Sequence, residues 1–462
     1  MKLVTSPHWK RTLYFLLFAL SFTIFIAILY EEELTHIIKP SPWHEFEFEE
    51  FEFENFNQQE EQEEQEEDIL VQAVEKDVVI KPFVVGETEK ECDVFEGRWE
   101  YDEAARPLYG EAECPYIQPK VMCQANGRRD KQYLHWRWQP HWCSLPSFNA
   151  TFMLEMLRNK RVMFVGDHIH RGQFVSMICL LQSAIPQSFQ SFETVKPKST
   201  FRASNYNMTI EFYYSPFLLE SNREHRSQRF LREKIIRTGS IDKHARHWRG
   251  VDILLLNTYT WWLQPRGKIK ILRGSFEGDM RKNKIKEMKT EDAYKLAMNE
   301  LVKWVEENFD PQKTRVFFTS ISPSHELSEE WGGEARGNCY NETTPIFDNP
   351  TYWGVGSRKG FMHVIQQVVS KSKVPIEVLN VTQLSEYRKD GHLSIYKKHE
   401  RELAPRDLAN PRSYADCHNW CLPGVQDTWN ELLDSSFLEM RTARKIVIKP
   451  SLGRPFLFEL LL

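Results

Sequence analysis

RVMFVGDHIHRGQFVSMICLL, residues 161–181, decides the fold. Arg161–Gly166 is a short apolar run bounded by Lys160 and Asp167, the signature of a strand buried on both faces. Gly166 lets the chain turn sharply, Asp167 and His168 follow, and a helical stretch runs from Arg171 to Leu181. The side chains after such a turn project over the sheet end, where the amides of a helix N-terminus favour developing negative charge. Hydrolases and acyltransferases often place a nucleophile there, although an ordinary turn reads the same way. Working outward, Val251–Asn257 (VDILLLN), Thr314–Ser320 (TRVFFTS) and the weaker Pro375–Leu379 repeat the buried-strand pattern. Glu291–Asn308 carries Ala293, Leu296, Ala297, Leu301, Val302, Trp304 and Val305 close to a 3.6-residue period, and Gly360–Lys371 is a further helix candidate. Strands alternating with helices predict an α/β fold, a parallel sheet flanked by helices, with its site at the carboxyl ends of the strands.

The ends of the chain differ from this middle. Of 462 residues, 41% are hydrophobic and 13% aromatic, which excludes whole-chain disorder, and the net charge is −5. Residues 1–30 carry +3, residues 31–68 carry −15 and the remainder +7. No Lys/Arg block suggests nucleic acid as a partner. Thr12–Tyr30 is an uncharged stretch of 19 residues, long enough to cross a ~30 Å hydrocarbon core at ~1.5 Å per residue. A cleaved signal peptide is the rival reading, but its apolar run is usually ~7–15 residues. Lys10 and Arg11 precede the span, so residues 1–11 are expected in the cytosol and the bulk of the chain in a lumen, as in a type II membrane protein. Residues 31–88 read as an acidic, disordered stem in which Glu alternates with Phe before turning Glu/Gln-rich. A lumenal domain is expected over 89–433 and a tail over 434–462.

Two features fit a lumenal location. Eight Cys all follow residue 90, an even number that suggests disulfides and allows 105 pairings. Four glycosylation sequons begin at Asn149, Asn207, Asn341 and Asn380. A zinc site is not expected, because Cys417 and Cys421 are the sole tight Cys pair. Near the end of the domain, Asp416-Cys417-His418-Asn419-Trp420-Cys421 packs an acid and a base between two Cys. Such a turn can hold a catalytic acid and base rigidly, or simply be a cystine-rich loop. The run HWRWQPH (135–141) reads equally as a sugar-stacking wall or a core cluster, Trp261 and Trp262 lean towards the cleft, and His325 reads as structural.

With these motifs the chain resembles the plant trichome birefringence-like family of polysaccharide O-acetyltransferases, and within it the ESKIMO-type branch acting on xylan. The stretches that carry the resemblance are CDVFEGRWEYDE (92–103), HWRWQPHWC (135–143), RVMFVGD…RGQFVSMICLLQS (161–183), NTYTWW (257–262), YWG (352–354), QLSEYRKDGHLSIY (383–396) and DC..WCLPG..DTWNELL (416–433). The family is similar to GDSL/SGNH esterases. The resemblance implies that fold, a Golgi membrane location, xylan as partner, no bound cofactor and an acetyl donor it does not name. It also implies disulfides Cys92–Cys143, Cys114–Cys179, Cys123–Cys421 and Cys339–Cys417.

The family pattern places Ser after Gly-Asp as the acylated nucleophile, and Asp-x-x-His as the orienting acid and general base. Here Gly166, Asp167 and Asp416 match, whereas the nucleophile position holds His168 and the base position Asn419. Asn257 aligns with an oxyanion-hole Asn. Asn has no basic nitrogen at neutral pH, and His168 would form a labile acyl-imidazole. His418, one residue before the base position, is a possible replacement base. Two readings follow: a xylan O-acetyltransferase working through an altered triad, or an inactive relative that binds wall polysaccharide or a partner enzyme.

Overall fold

The chain divides into two units, residues 1–75 and 76–462. The computed structural model describes residues 93–447 apart from 230, 265, 279–283, 348–351 and 400–401, with the backbone alone over 438–447, and the backbone pairs 78–79 and 88–89. The expected membrane span and most of the expected stem lie outside these residues. Among the described residues no helix is long and apolar enough to cross a membrane. Val78–Val79 pairs antiparallel with Thr88–Glu89, so part of the stretch read as stem forms a ladder.

Fourteen strands matter for the site. They are β1 (Gly97–Tyr101), β2 (Trp136–Pro140), β3 (Arg161–Gly166), β4 (Gln190–Val195), β5 (Lys198–Ala203), β6 (Met208–Tyr214) and β7 (Ile235–Arg237). They continue as β8 (Ile253–Leu256), β9 (Lys268–Leu272), β10 (Ile285–Lys289), β11 (Arg315–Thr319), β12 (Ile376–Leu379), β13 (His392–Ser394) and β14 (Asp416–Trp420). The helices that pack on them are α1 (Ala150–Met156), α2 (His168–Gln182), α3 (Thr290–Asn308), α4 (Lys359–Val369), α5 (Thr382–Glu386) and α6 (Val425–Val447).

The central sheet has seven strands in the order β12-β11-β8-β3-β6-β5-β4. The first five run parallel, as expected, but β5 is antiparallel to both β6 and β4. The sheet is therefore mixed, which corrects the all-parallel expectation. The reason lies in the links. α2 carries the chain from β3 to the far edge, and two tight turns, at Lys196-Pro197 and Ser204–Asn207, bring it back. A two-residue link joins only antiparallel strands, whereas a parallel pair needs a crossover of a dozen residues or more.

β3 sits near the middle with partners on both sides, so its side chains are buried on both faces, as its apolar run requires. One face of the sheet presents Phe164, Leu255 and Phe317 to α1, α2 and α6, with Trp429 and Phe437 contributed by α6. The other presents Met163, Val165, Leu254, Leu256 and Phe318 to α3 and α4. α6 runs across residue 433, where the sequence placed the end of the domain, and Phe437 is buried beyond that point.

α2 is buried around most of its circumference because α6 covers its outer side. The contact is close at Gly172, where a Cβ would stand 2.0 Å from the Gln426 side chain. Gln426 Nε2 donates to the Ile169 carbonyl at 2.7 Å, the Ser176 hydroxyl to Asp427 at 2.6 Å, and Asn430 Nδ2 to the Gln173 carbonyl at 3.0 Å. Cys114–Cys179, Cys123–Cys421 and Cys339–Cys417 are bonded as the resemblance implied. Cys143 is also disulfide-bonded, and Cys92, its expected partner, lies outside the described residues.

Candidate functional site

The site begins at the turn from β3 into α2. Gly166 has no room for a side chain: a Cβ would stand 2.7 Å from the Asn257 carbonyl and 2.9 Å from His170 Nδ1. Asp167 is fully buried and caps α2, its Oδ1 accepting from the amides of Ile169 at 2.9 Å and His170 at 3.4 Å. Its Oδ2 accepts from the Thr260 hydroxyl at 2.6 Å, a contact the sequence did not signal. Asp167 therefore holds the turn. His168, the first residue of α2, is half-buried at its surface. His170 faces inward with Nδ1 donating to the Val165 carbonyl at 3.0 Å, and burial pushes its pKa down to about 4.

Asn257 follows β8. Its Nδ2 donates to the carbonyls of Thr319 and Ser320, each at 3.0 Å. These two hydrogen bonds tie β8 to the end of β11. Trp262 is likewise fully buried rather than in a cleft, its indole donating to Thr258 at 2.6 Å. Trp261 is half-buried, with Lys234 Nζ 4.9 Å from its ring centroid. In HWRWQPH the two readings divide: Trp138 is buried against Trp99, while Trp136 stands half-buried between Tyr101 and Phe347. Of the sequons, Asn207, Asn341 and Asn380 are exposed, and Asn149 is half-buried as the N-cap of α1.

The second half of the site is β14. Its ends are pinned by Cys417 to Cys339 and by Cys421, just past the strand, to Cys123. Asp416 Oδ1 accepts from the amides of His418 at 3.1 Å and Asn419 at 2.9 Å, and its Oδ2 accepts from Asn419 Nδ2 at 2.9 Å. Burial pushes the Asp416 carboxyl up, but these Asn419 hydrogen bonds outweigh it and the net shift is down. Asn419 thus donates to the acid as an imidazole N–H would. What it lacks is a second nitrogen able to take a proton.

His418 Nε2 is engaged with Glu326 Oε1 at 2.8 Å, a pairing in which the carboxylate orients the ring and Nδ1 is the nitrogen left to take a proton. Burial alone would lower the His418 pKa; the Glu326 carboxylate overcomes this and raises it.

Behind β14 lies a buried pair that spacing did not reveal. His325 Nδ1 faces His392 Nε2 at 2.7 Å, His392 Nδ1 faces the Asn419 carbonyl at 3.1 Å, and the His392 ring stacks on Trp420 at 3.9 Å. The pair supports the strand from within. The nucleophile and base positions lie on adjoining elements, because α2 packs against β14 and Gln426, just past β14, grips the first turn of α2. Among the described residues no group of three His, Cys, Asp or Glu is arranged to hold a metal ion.

Comparisons with known proteins agree with this arrangement. Residues 145–436 match the PC-Esterase family, the GDSL/SGNH-like acyl-esterase family found in Pmr5 and Cas1p, and residues 90–144 match the PMR5 N terminal domain. The probable xylan O-acetyltransferase 10 of Oryza sativa subsp. japonica is 58% identical over 344 residues, covering 74% of this chain and 77% of the relative. The probable xylan O-acetyltransferase 9 of the same organism is 50% identical over 354 residues, covering 75% and 78%. The protein trichome birefringence-like 35 of Arabidopsis thaliana is 46% identical over 353 residues, covering 76% and 77%.

Proposed function

The chain belongs to the GDSL/SGNH-like acyl-esterase family, together with the xylan O-acetyltransferases and trichome birefringence-like proteins it matches, and from that membership we propose that it engages cell-wall xylan at this site while its own acetyl transfer is strongly reduced. The relatives' names support xylan as the polysaccharide. Thr12–Tyr30, the disulfide-bonded cysteines and the sequons support a Golgi membrane protein of type II topology, glycosylated and with residues 89–433 in the lumen.

The carrying observation is the 2.9 Å bond from Asn419 Nδ2 to Asp416. Acyl transfer by this fold needs three linked events. A hydroxyl oxygen bonds to the acetyl carbon as the donor's leaving group departs, a base takes the hydroxyl proton and passes it to that leaving group, and the acetyl then moves to a sugar oxygen while the base carries the sugar hydroxyl's proton back to the first oxygen. Asn419 preserves the contact with the acid but takes no proton, and His168 offers no hydroxyl. Loss of a triad member costs ~10⁴–10⁶ in rate.

Purified chain incubated with an activated acetyl ester and xylo-oligosaccharides tests this. The expected result is oligosaccharide binding with acetyl transfer near background, and transfer gained in the double variant His168→Ser/Asn419→His. Transfer by the unaltered chain at the double variant's rate, abolished by His168→Ala, would establish the competing mechanism in which acetyl rides on the His168 imidazole. Absence of any xylo-oligosaccharide binding would overturn the xylan reading.

A further inference from the structure

The positive charge of this domain is concentrated in one place. Residues 223–237 and 266–289 hold fifteen Lys and Arg against five Asp and Glu, a net of +10, whereas all of residues 69–462 sum to +7. The rest of that stretch is therefore slightly acidic. The described ones among these residues lie on the three-stranded sheet β10-β9-β7 and the loops that flank it.

One face of that sheet is packed: Ile236, Ile269, Ile271 and Met288 join the core beneath. The other carries Lys268, Lys270 and Lys289, with Lys268 and Lys289 directly opposite in register. Some of the charge is neutralised. Lys268 pairs with Glu287 at 3.0 Å, Lys270 with Glu233, and Arg237 with Glu220 at 2.5 Å. Arg226, Arg232, Arg266, Arg273, Lys286 and Lys289 are exposed, and among the described residues none stands in an ion pair. Lys286 stands opposite Ile271 and so on the packed side of the sheet, whereas Lys289 shares the outer face with Lys268 and Lys270; like charges gathered there repel each other, a cost that a bound polyanion removes.

The surface also borders the candidate site. Lys234, in the loop leading into β7, donates to the Trp261 carbonyl at 3.0 Å, and burial pushes its pKa down to about 8. Trp261 is the immediate neighbour of Thr260, whose hydroxyl holds Asp167 at the turn before His168. The extent argues for a chain rather than a small anion. Ile235, Leu272 and Phe276 form a buried cluster on the same outer side, so the open part is the Lys268, Lys270 and Lys289 end, and the described cations there and in the flanking loops are spread out instead of converging on one point.

We infer that the β7–β9–β10 face and the 223–234 loop form a binding surface for an anionic glycan, a xylan chain carrying uronate carboxylates, which leads that chain to the site. The inference rests on the xylan reading above and adds the acidic substituent to it. Exposed cation–carboxylate pairs are individually weak, so the contribution is collective and falls as salt screens it.

The test uses the full chain in detergent and measures binding to uronate-bearing xylan, to the same xylan after its carboxyls are reduced to alcohols, and to neutral xylo-oligosaccharides. The acidic xylan is expected to bind tighter than its reduced form, with the difference vanishing at high salt. Lys268→Glu/Lys289→Glu should weaken acidic-xylan binding by roughly three- to tenfold and leave neutral oligosaccharide binding unchanged. Both residues are exposed, so thermal unfolding of the variant should match the unaltered protein. Equal affinity for acidic and reduced xylan would overturn the inference while leaving the xylan reading intact. Failure of the neutral oligosaccharides to bind would instead overturn the xylan reading. Binding of vesicles of anionic lipid in place of acidic xylan, lost in the same variant, would assign the face to a membrane and overturn the inference too.

Discussion

Glu386, at the end of α5, should make this protein lose stability as pH rises through neutrality, and Glu386→Gln should remove that loss. The carboxyl is completely buried, and neither oxygen has a hydrogen-bond partner. Burial pushes its pKa from 4.5 up to about 8; the nearby Ser357 hydroxyl and Gly354 amide offset this in part, and the Glu330 carboxyl adds to it. Folded, the group keeps its proton at neutral pH, and unfolded it gives it up. Between the two pKa values the folded state holds one proton more, so the unfolding free energy falls by ~1.4 kcal/mol per pH unit. From about pH 4.5 to 7 that amounts to roughly 3 kcal/mol, and from about pH 6 to 7.5 to roughly 2 kcal/mol.

Other groups titrate nearby. Asp434, raised to about 7, and Asp427, raised to about 6, act in the same direction, as does His418 with its raised pKa. His170 and His325, both lowered to about 4, act oppositely, and their effect is complete once pH exceeds 6.5. The comparison of unaltered protein with Glu386→Gln cancels all of these. Urea unfolding under non-reducing conditions, at steps between about pH 6 and 7.5, should show the variant gaining roughly 2 kcal/mol on the unaltered protein across the range. Parallel stability curves for the two proteins would refute the argument, because they would mean that Glu386 binds the same number of protons folded and unfolded.

Three further outcomes follow from the same contacts. Gly172→Ala should destabilise by about 1–3 kcal/mol in thermal unfolding, because the new methyl must displace Gln426 and strand the Ile169 carbonyl it serves. Replacing both Cys339 and Cys417 by Ala opens a link across 78 residues and should cost up to about 4 kcal/mol, measured by denaturant unfolding with the other disulfides intact. His168→Ser and Asn419→His should each leave acetyl transfer near background while the pair together raises it by roughly 10⁴ or more, since triad members act as a unit; a single variant that restores most of the rate would contradict the assigned roles.

What the amino-acid order determined by itself is local. An apolar run with no polar interruption dictates a strand covered on both faces, which is why β3, β8 and β11 were legible to within a residue or two. A 3.6-residue apolar period dictates a helix packed on one side, which made α3 and α4 legible. That His168 and Asn419 stand where the family pattern has Ser and His was also readable, because a side chain is the same chemical group wherever the chain places it. Three things needed the tertiary structure. The antiparallel edge β4–β5 has its outer strand largely solvated, so its weak pattern did not stand out. The donors of Asn257 are spent on carbonyls more than sixty residues away, and His418 is held by Glu326 more than ninety residues earlier. A hydrogen bond depends on angle and distance between groups brought together by packing, and no spacing along the chain records that. The same holds for the basic surface: the charges can be counted in the sequence, but only the pairing of β9 and β10 puts Lys268, Lys270 and Lys289 on one face.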